Sequence, residues 1–170
     1  TLALGWLMLI VWLAIRLTSP GPGVFKQVRV GQHKVPFTCY KFRTMSLGTK
    51  QLGTHEVSSA SITSIGAFLR KTKIDELPQI LNILRGEMSL IGPRPCLPNQ
   101  VELIAARQSK GVYEIAPGIS GLAQINDIDM STPELLSQWD ARYIALRGLA
   151  LDISITIATV KGKGQGDKTI

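Results

Sequence analysis

The first fifteen residues, TLALGWLMLIVWLAI, carry no charge, and the first basic residue is Arg16. Apart from Thr1, Gly5 and the ends, the run lacks the polar stripe that a soluble surface helix shows. A helix of this length reaches roughly 22 Å, short of the ~30 Å hydrocarbon core of a bilayer. Three readings compete: a buried core helix, a signal-peptide core, or one limb of an interfacial or re-entrant membrane segment. A signal peptide calls for basic residues before the run and a small-residue cleavage site after it, and neither is present. Trp6 and Trp12 suit interfacial anchoring. The Lys/Arg cluster that follows suits an anionic cytoplasmic leaflet. The pattern therefore favours a membrane-inserted limb over residues 1–17. The chain opens on Thr rather than Met, so this reading expects the other limb upstream, in a longer polypeptide.

SPGPG, residues 19–23, ends that helix. Residues 24–45 read as a hairpin. Val28 and Val30 alternate with polar neighbours, Gly31-Gln32-His33-Lys34 supplies the turn, and Phe37, Cys39 and Lys41 continue the alternation. Lys26, Arg29, Lys41 and Arg43 are expected to decorate it. Residues 46–61 are a polar Gly/Ser loop. Residues 62–71 suit a short helix and residues 75–85 a better one. There Leu77, Ile80, Leu81 and Leu84 follow the i, i+3, i+4, i+7 rule, and Gly86 supplies the stop.

Residues 88–98 read as a loop held by Pro93, Pro95 and Pro98. Residues 99–108 form a short amphipathic helix, and 114–126 are turn-rich with strand propensity. Thr132-Pro133-Glu134 opens a helix over 133–147 whose apolar face carries Leu135, Leu136, Trp139, Tyr143 and Leu146. Residues 149–160 fit a strand or a helix. The expected fold is α+β: one mainly helical domain with a small β-hairpin, associated with a membrane through the first helix and amphipathic surface helices. The globular part spans 18–160, followed by a Gly/Lys-rich tail over 161–170.

A length of 170 residues suits one domain, and the net charge of +7 implies an anionic partner. That charge is uneven. Residues 16–94 hold twelve Lys/Arg against four Asp/Glu, whereas residues 95–170 hold seven against eight. A basic face, rather than a generally basic protein, follows. Cys39 and Cys96 match no metal spacing and are too few for a disulfide framework. His33 and His55 are isolated.

The candidate chemistry lies in TKIDELPQI, residues 72–80, where Asp75 and Glu76 stand beside Arg70, Lys71 and Lys73. Acidic residues in a first turn offset the helix dipole, and Thr72 to Asp75 resembles a capping box. Pro78 also fits a helix start. The same arrangement serves phosphate chemistry. Cations hold an anionic substrate, and a carboxylate can attack phosphorus. Its neighbour can hold a divalent ion, and Mg²⁺ commonly uses one or two carboxylates plus substrate phosphates. GPRP follows closely and adds Arg94, which can fork onto phosphate oxygens.

These blocks resemble a known family. FKQVRVGQHKVPFTCYKFRTM, IDELPQILNILRGEMSLIGPRP and PGISGLAQIN are similar, in order and spacing, to the bacterial sugar transferases. These are the monotopic polyprenol-phosphate phosphoglycosyl transferases. The resemblance covers roughly residues 18–160. It implies transfer of a sugar phosphate from a UDP-sugar to a polyprenol phosphate such as undecaprenyl phosphate, with release of UMP. The reaction would start capsule, O-antigen or exopolysaccharide assembly. It implies Asp75 as nucleophile, forming an aspartyl-phosphosugar, and Asp75 and Glu76 as the Mg²⁺ site, Glu76 foremost. Arg70, Arg94, Lys41, Arg43 and Asp140 become phosphate- or substrate-binding candidates. The re-entrant helix would dip into the inner leaflet at the cytoplasmic face of the bacterial inner membrane. One departure stands out: Asp127-Ile128-Asp129 follows AQIN where many members carry Gly-Arg-Asn, so the donor must be held otherwise. Lys161 and Lys163 could supply charge instead.

Two other function classes compete. A non-enzymatic membrane module would use the basic face for anionic lipids and the acidic pair only as a cap. A nucleic-acid binder would need more stacking aromatics than Phe25, Phe37, Tyr40 and Phe42, so no nucleic-acid partner is expected. A homo-oligomer is left open.

Overall fold

A computed structural model describes residues 2–49 and 61–164. Most of the expected loop over 46–61, with His55, and the end of the tail lie outside the described residues. Helix α1 (Leu2–Thr18) stops where Pro20 and Pro22 cannot continue it. It presses Val11 and Ile15, with Met8, onto Phe42 and Leu69. Most of its remaining surface is exposed, Trp6 at 64% and Leu17 at 83%. Among the described residues, no helix is long and apolar enough to cross a membrane.

Strands β1 (Val24–Val30) and β2 (Pro36–Phe42) form the expected antiparallel hairpin, from Val24↔Phe42 to Val30↔Pro36. His33 and Lys34 take left-handed φ angles of 53° and 61° in its turn. One expectation is overturned. Val28 faces solvent, while Gln27 and Arg29 are buried opposite Cys39 and Phe37. Polar side chains go inside here because the Arg29 guanidinium meets the carbonyl of Pro95 and the amide oxygen of Gln27. Lys41 shares this inner face with Cys39, by the two-residue period of a strand.

Helix α2 (Ser64–Thr72) is capped by Thr63, whose hydroxyl accepts from Gly66 N at 3.0 Å. It ends at Lys73, a left-handed residue with φ 57°. The single helix expected over 75–85 is instead a 3₁₀ stretch, Ile74–Gln79, running into α3 (Ile80–Leu84). Pro78 has no N–H to close an α-turn, so the chain tightens first. The capping box does not form: Thr72 belongs to the last turn of α2 and donates to Phe68 O. The expected apolar face is also rotated. Leu81 and Leu84 are exposed, whereas Asn82 is fully buried. Asn82 donates to Thr38 O at 2.7 Å and accepts from Tyr40 N at 3.2 Å, standing in for a third strand along the edge of β2. Gly86, with φ 75°, stops α3 as expected.

Inside the proline-held loop lies a short strand, β3 (Ser89–Ile91), which pairs in parallel with β4 (Gly118–Ser120). Helices α4 (Val101–Ser109), α5 (Pro133–Leu146) and α6 (Leu149–Val160) complete the fold. On α5, Leu136 and Tyr143 are buried and Trp139 packs at the core edge, but Leu135 and Leu146 are exposed. Residues 149–160, ambiguous in sequence, are helical. Their β-branched side chains Ile153 and Ile157, with Leu149 and Val160, form an exposed apolar stripe, while Ile155 is buried. The main core gathers Val30, Cys96, Leu103, Tyr113, Ala123, Met130 and Leu136. Cys39 and Cys96 are both buried free thiols.

The β3–β4 contact is tight enough to test. A Cβ on Gly118 would lie 2.1 Å from Gly92 N, whereas one on Gly5 would meet nothing within 4 Å. Gly118→Ala should therefore cost about 1–3 kcal/mol or more. Gly5→Ala should be neutral or slightly stabilising. Thermal denaturation of the two variants checks this.

Candidate active site

The acidic pair sits just after the left-handed residue Lys73, on the 3₁₀ stretch that packs beside β2. That register brings Lys41 of β2 to Glu76, Nζ to Oε1, at 2.9 Å. Arg94, on the loop after β3, donates from Nη1 to the same oxygen at 3.1 Å. Three residues far apart in sequence thus meet at one atom. Asp75 is 9% exposed, and its surrounding charges are Lys41, Glu76, Arg94 and Arg70. Arg70 donates from Nε to Thr44 Oγ1 at 3.0 Å.

The two carboxyls are driven apart. Burial raises Asp75 to about 6, helped by Glu76 and opposed by Lys41, Arg94 and Arg70. Burial pushes Glu76 up as well, but Lys41 and Arg94 outweigh it by charge and hydrogen bond and hold it down at about 2. Adjacent titratable groups split in this way can take different roles. Glu76 stays ionised and fixed, and Asp75 is a carboxylate that is costly to keep charged.

Two sequence candidates sit differently. Arg43 is buried and donates to the carbonyls of Ser19 and Pro20, so it fastens the turn after α1 rather than joining the cluster. Asp140 is 2% exposed and accepts from Arg107 Nε at 2.9 Å. It lines a small cavity with Arg94, Gln124 and Asp129. Gln124 Oε1 is buried there with no hydrogen-bond partner among the described residues.

Lys73, one of the basic residues beside the pair in the sequence, also lies at the site. Its Nζ donates to Lys163 O at 2.9 Å, bringing the glycine-rich tail to the site. Burial lowers its pKa, with Glu76 and Asp75 opposing and Arg94 adding to the fall. Its place two residues before the pair is the one signal that could have singled it out. Lys163 itself is present through its main-chain carbonyl.

The dyad is thus buried on a tight turn and ringed by Lys and Arg. The family model for bacterial sugar transferases matches residues 1–165. The chain belongs to that family. It is 41% identical over 147 residues to the uncharacterized sugar transferase EpsL of Bacillus subtilis (strain 168), covering 86% of this chain and 72% of that protein. It is 39% identical to the UDP-glucose:undecaprenyl-phosphate glucose-1-phosphate transferase of Caulobacter vibrioides, covering 91% and 61%. With the undecaprenyl-phosphate galactose phosphotransferase of Salmonella typhimurium it shares 34% identity, over 91% of this chain and 36% of that one.

The opposed pKa shifts give opposite stability effects. Glu76 is depressed, so its stabilisation is present above pH 4.5 and lost as pH falls towards 2. Asp75 is raised, so its ionisation costs stability as pH rises through 6. At pH 8, Glu76→Gln should lower stability and Asp75→Asn should raise it. Chemical denaturation at pH 8 checks both signs.

Proposed function

We propose that this chain transfers a sugar phosphate from a UDP-sugar to a polyprenol phosphate, undecaprenyl phosphate by analogy with its relatives. The observation that carries the reading is the split dyad: Lys41 and Arg94 place their hydrogen bonds on Glu76 and leave Asp75 as the distinct, higher-pKa carboxylate. A Asp75 carboxylate oxygen attacks the sugar-bearing phosphorus of the donor. The bond to the bridging oxygen breaks, and UMP leaves. An oxygen of the polyprenol phosphate then attacks the aspartyl-phosphosugar, restoring the Asp75 carboxylate and forming a polyprenol diphosphate sugar. Two displacements let a soluble donor and a lipid acceptor use one small site in turn.

Lys41, Arg94 and Arg70 supply the fixed positive charge that positions and stabilises a transferring phosphoryl group. The adjacent carboxylates of Asp75 and Glu76 are hard oxygen donors that fit Mg²⁺ completed by substrate phosphates. When bound, the ion would neutralise charge on the diphosphate. Helix α1 and the apolar stripe of α6 suit the interface of the inner leaflet, at the cytoplasmic face of a bacterial inner membrane. There the basic part of the chain meets anionic headgroups. The product would start a surface glycan.

UMP release from a panel of UDP-sugars, with and without Mg²⁺, tests the class and the donor together. Asp75→Asn should lower release by at least about three orders of magnitude. It should also abolish trapping of labelled sugar phosphate on the protein. Full activity in that variant would sink the reading. Because Asp75 attacks as the anion, the first half-reaction should quicken as pH rises through the acid range and then level off. Single-turnover rates between pH 5 and 8 check the limb.

A further inference from the structure

Arg94 reaches Glu76 only if its own main chain is held, and residues 93–96 are held in an unusual way. Four consecutive carbonyls each accept a hydrogen bond from outside the loop. Pro93 O takes Gly118 N at 2.9 Å, and Cys96 O takes Val30 N at 3.0 Å. Between them, Arg94 O takes Arg107 Nη1 and Pro95 O takes Arg29 Nη1, both at 2.9 Å. Pro93 and Pro95 have no N–H, so carbonyls are the main handles this segment offers.

Both arginines are buried, Arg107 at 1% and Arg29 at 7% exposure. Each is anchored at its other edge. Arg107 places Nε at 2.9 Å and Nη2 at 2.7 Å from Asp140 Oδ2. Arg29 donates from Nε and Nη2 to Gln27 Oε1 at 3.1 and 2.6 Å. Burying a guanidinium is costly, and an apolar replacement is often no less stable. What the guanidinium offers is a rigid plane that can be fixed along one edge while the other aims a donor.

We propose that Arg107 with Asp140, and Arg29 with Gln27, are positioning residues for the transfer reaction proposed above. They clamp the carbonyls of Arg94 and Pro95 so that the Arg94 guanidinium is presented to Glu76 and the substrate phosphates. Asp140 then acts through Arg107, which accounts for an acidic residue on α5 with a buried cationic partner. Nothing in the sequence marks either arginine, since one lies on a short amphipathic helix and the other in an alternating strand.

A double-mutant cycle on the full chain tests this, read as UMP release and as affinity for UDP, with thermal midpoints recorded. Arg107→Lys keeps the charge opposite Asp140 but cannot fork. It should lower kcat/KM about 10- to 100-fold, as expected of a misplaced phosphate clamp. In an Arg94→Gln background the same change should cost less than about twofold, because its effect passes through Arg94. Arg29→Lys, on the opposite side of the loop, should behave likewise and serves if Arg107→Lys does not fold. Equal losses in both backgrounds, losses under twofold in the native background, or loss of fold with both lysine variants would overturn the clamp. Wild-type chain that releases no UMP from any donor would instead defeat the transferase reading, and the clamp with it.

Discussion

One carboxylate oxygen organises this molecule. Glu76 Oε1 receives Lys41 at 2.9 Å and Arg94 at 3.1 Å, and each donor comes from a different part of the chain. The hairpin must present Lys41 on its inner face, the loop after β3 must fold back with Arg94, and the chain must turn sharply at Lys73. A buried carboxylate with two cations is stable only in company, since removing one partner strands a charge. Satisfying Glu76 therefore helps tie these elements together, alongside the apolar cluster of Phe42 and Leu69 with Ile74 and Leu77.

The consequence is an asymmetry between neighbours. Burial raises both carboxyls, but the charge and hydrogen bonds of Lys41 and Arg94 outweigh it at Glu76 and only oppose it at Asp75, so the two move in opposite directions. Chemistry and stability pull against each other at this point. The group proposed to attack phosphorus is the one whose charge destabilises the fold, while its neighbour Glu76 is held ionised by Lys41 and Arg94. Sites that run against local stability rules are common where function is concentrated.

Polarity is also inverted elsewhere. Gln27, Arg29, Asn82, Arg107 and Asp140 are buried, while Trp6, Leu17, Leu84, Leu149 and Val160 are exposed. The buried polar groups all serve main-chain partners or one another: Asn82 completes a strand edge, and the arginines hold a proline-rich loop that has few N–H groups of its own. The exposed apolar groups lie on α1, α3 and α6. They suit the membrane-surface placement proposed for this family member.

The sequence by itself determined the elements whose signals are local. The uncharged first helix and its proline stop, the hairpin with its Gly31 turn, the Thr132-Pro133-Glu134 helix start and the acidic pair beside basic residues were all legible. Each depends on a period, a turn residue or a charge cluster within a few positions. Tertiary structure decided what those residues face. Leu81 and Leu84 kept a helical period yet point outward, because the inner face of α3 must offer Asn82 to the edge of β2. Arg43 looked like a substrate contact and fastens a turn. Arg29 was expected to decorate the hairpin and is buried, as is Arg107 of α4, each against a carbonyl more than ten residues away. Residues 149–160 could be either element until packing chose a helix. Hydrogen-bond demand from distant main chain leaves no trace in local spacing, so only the folded chain could assign those roles.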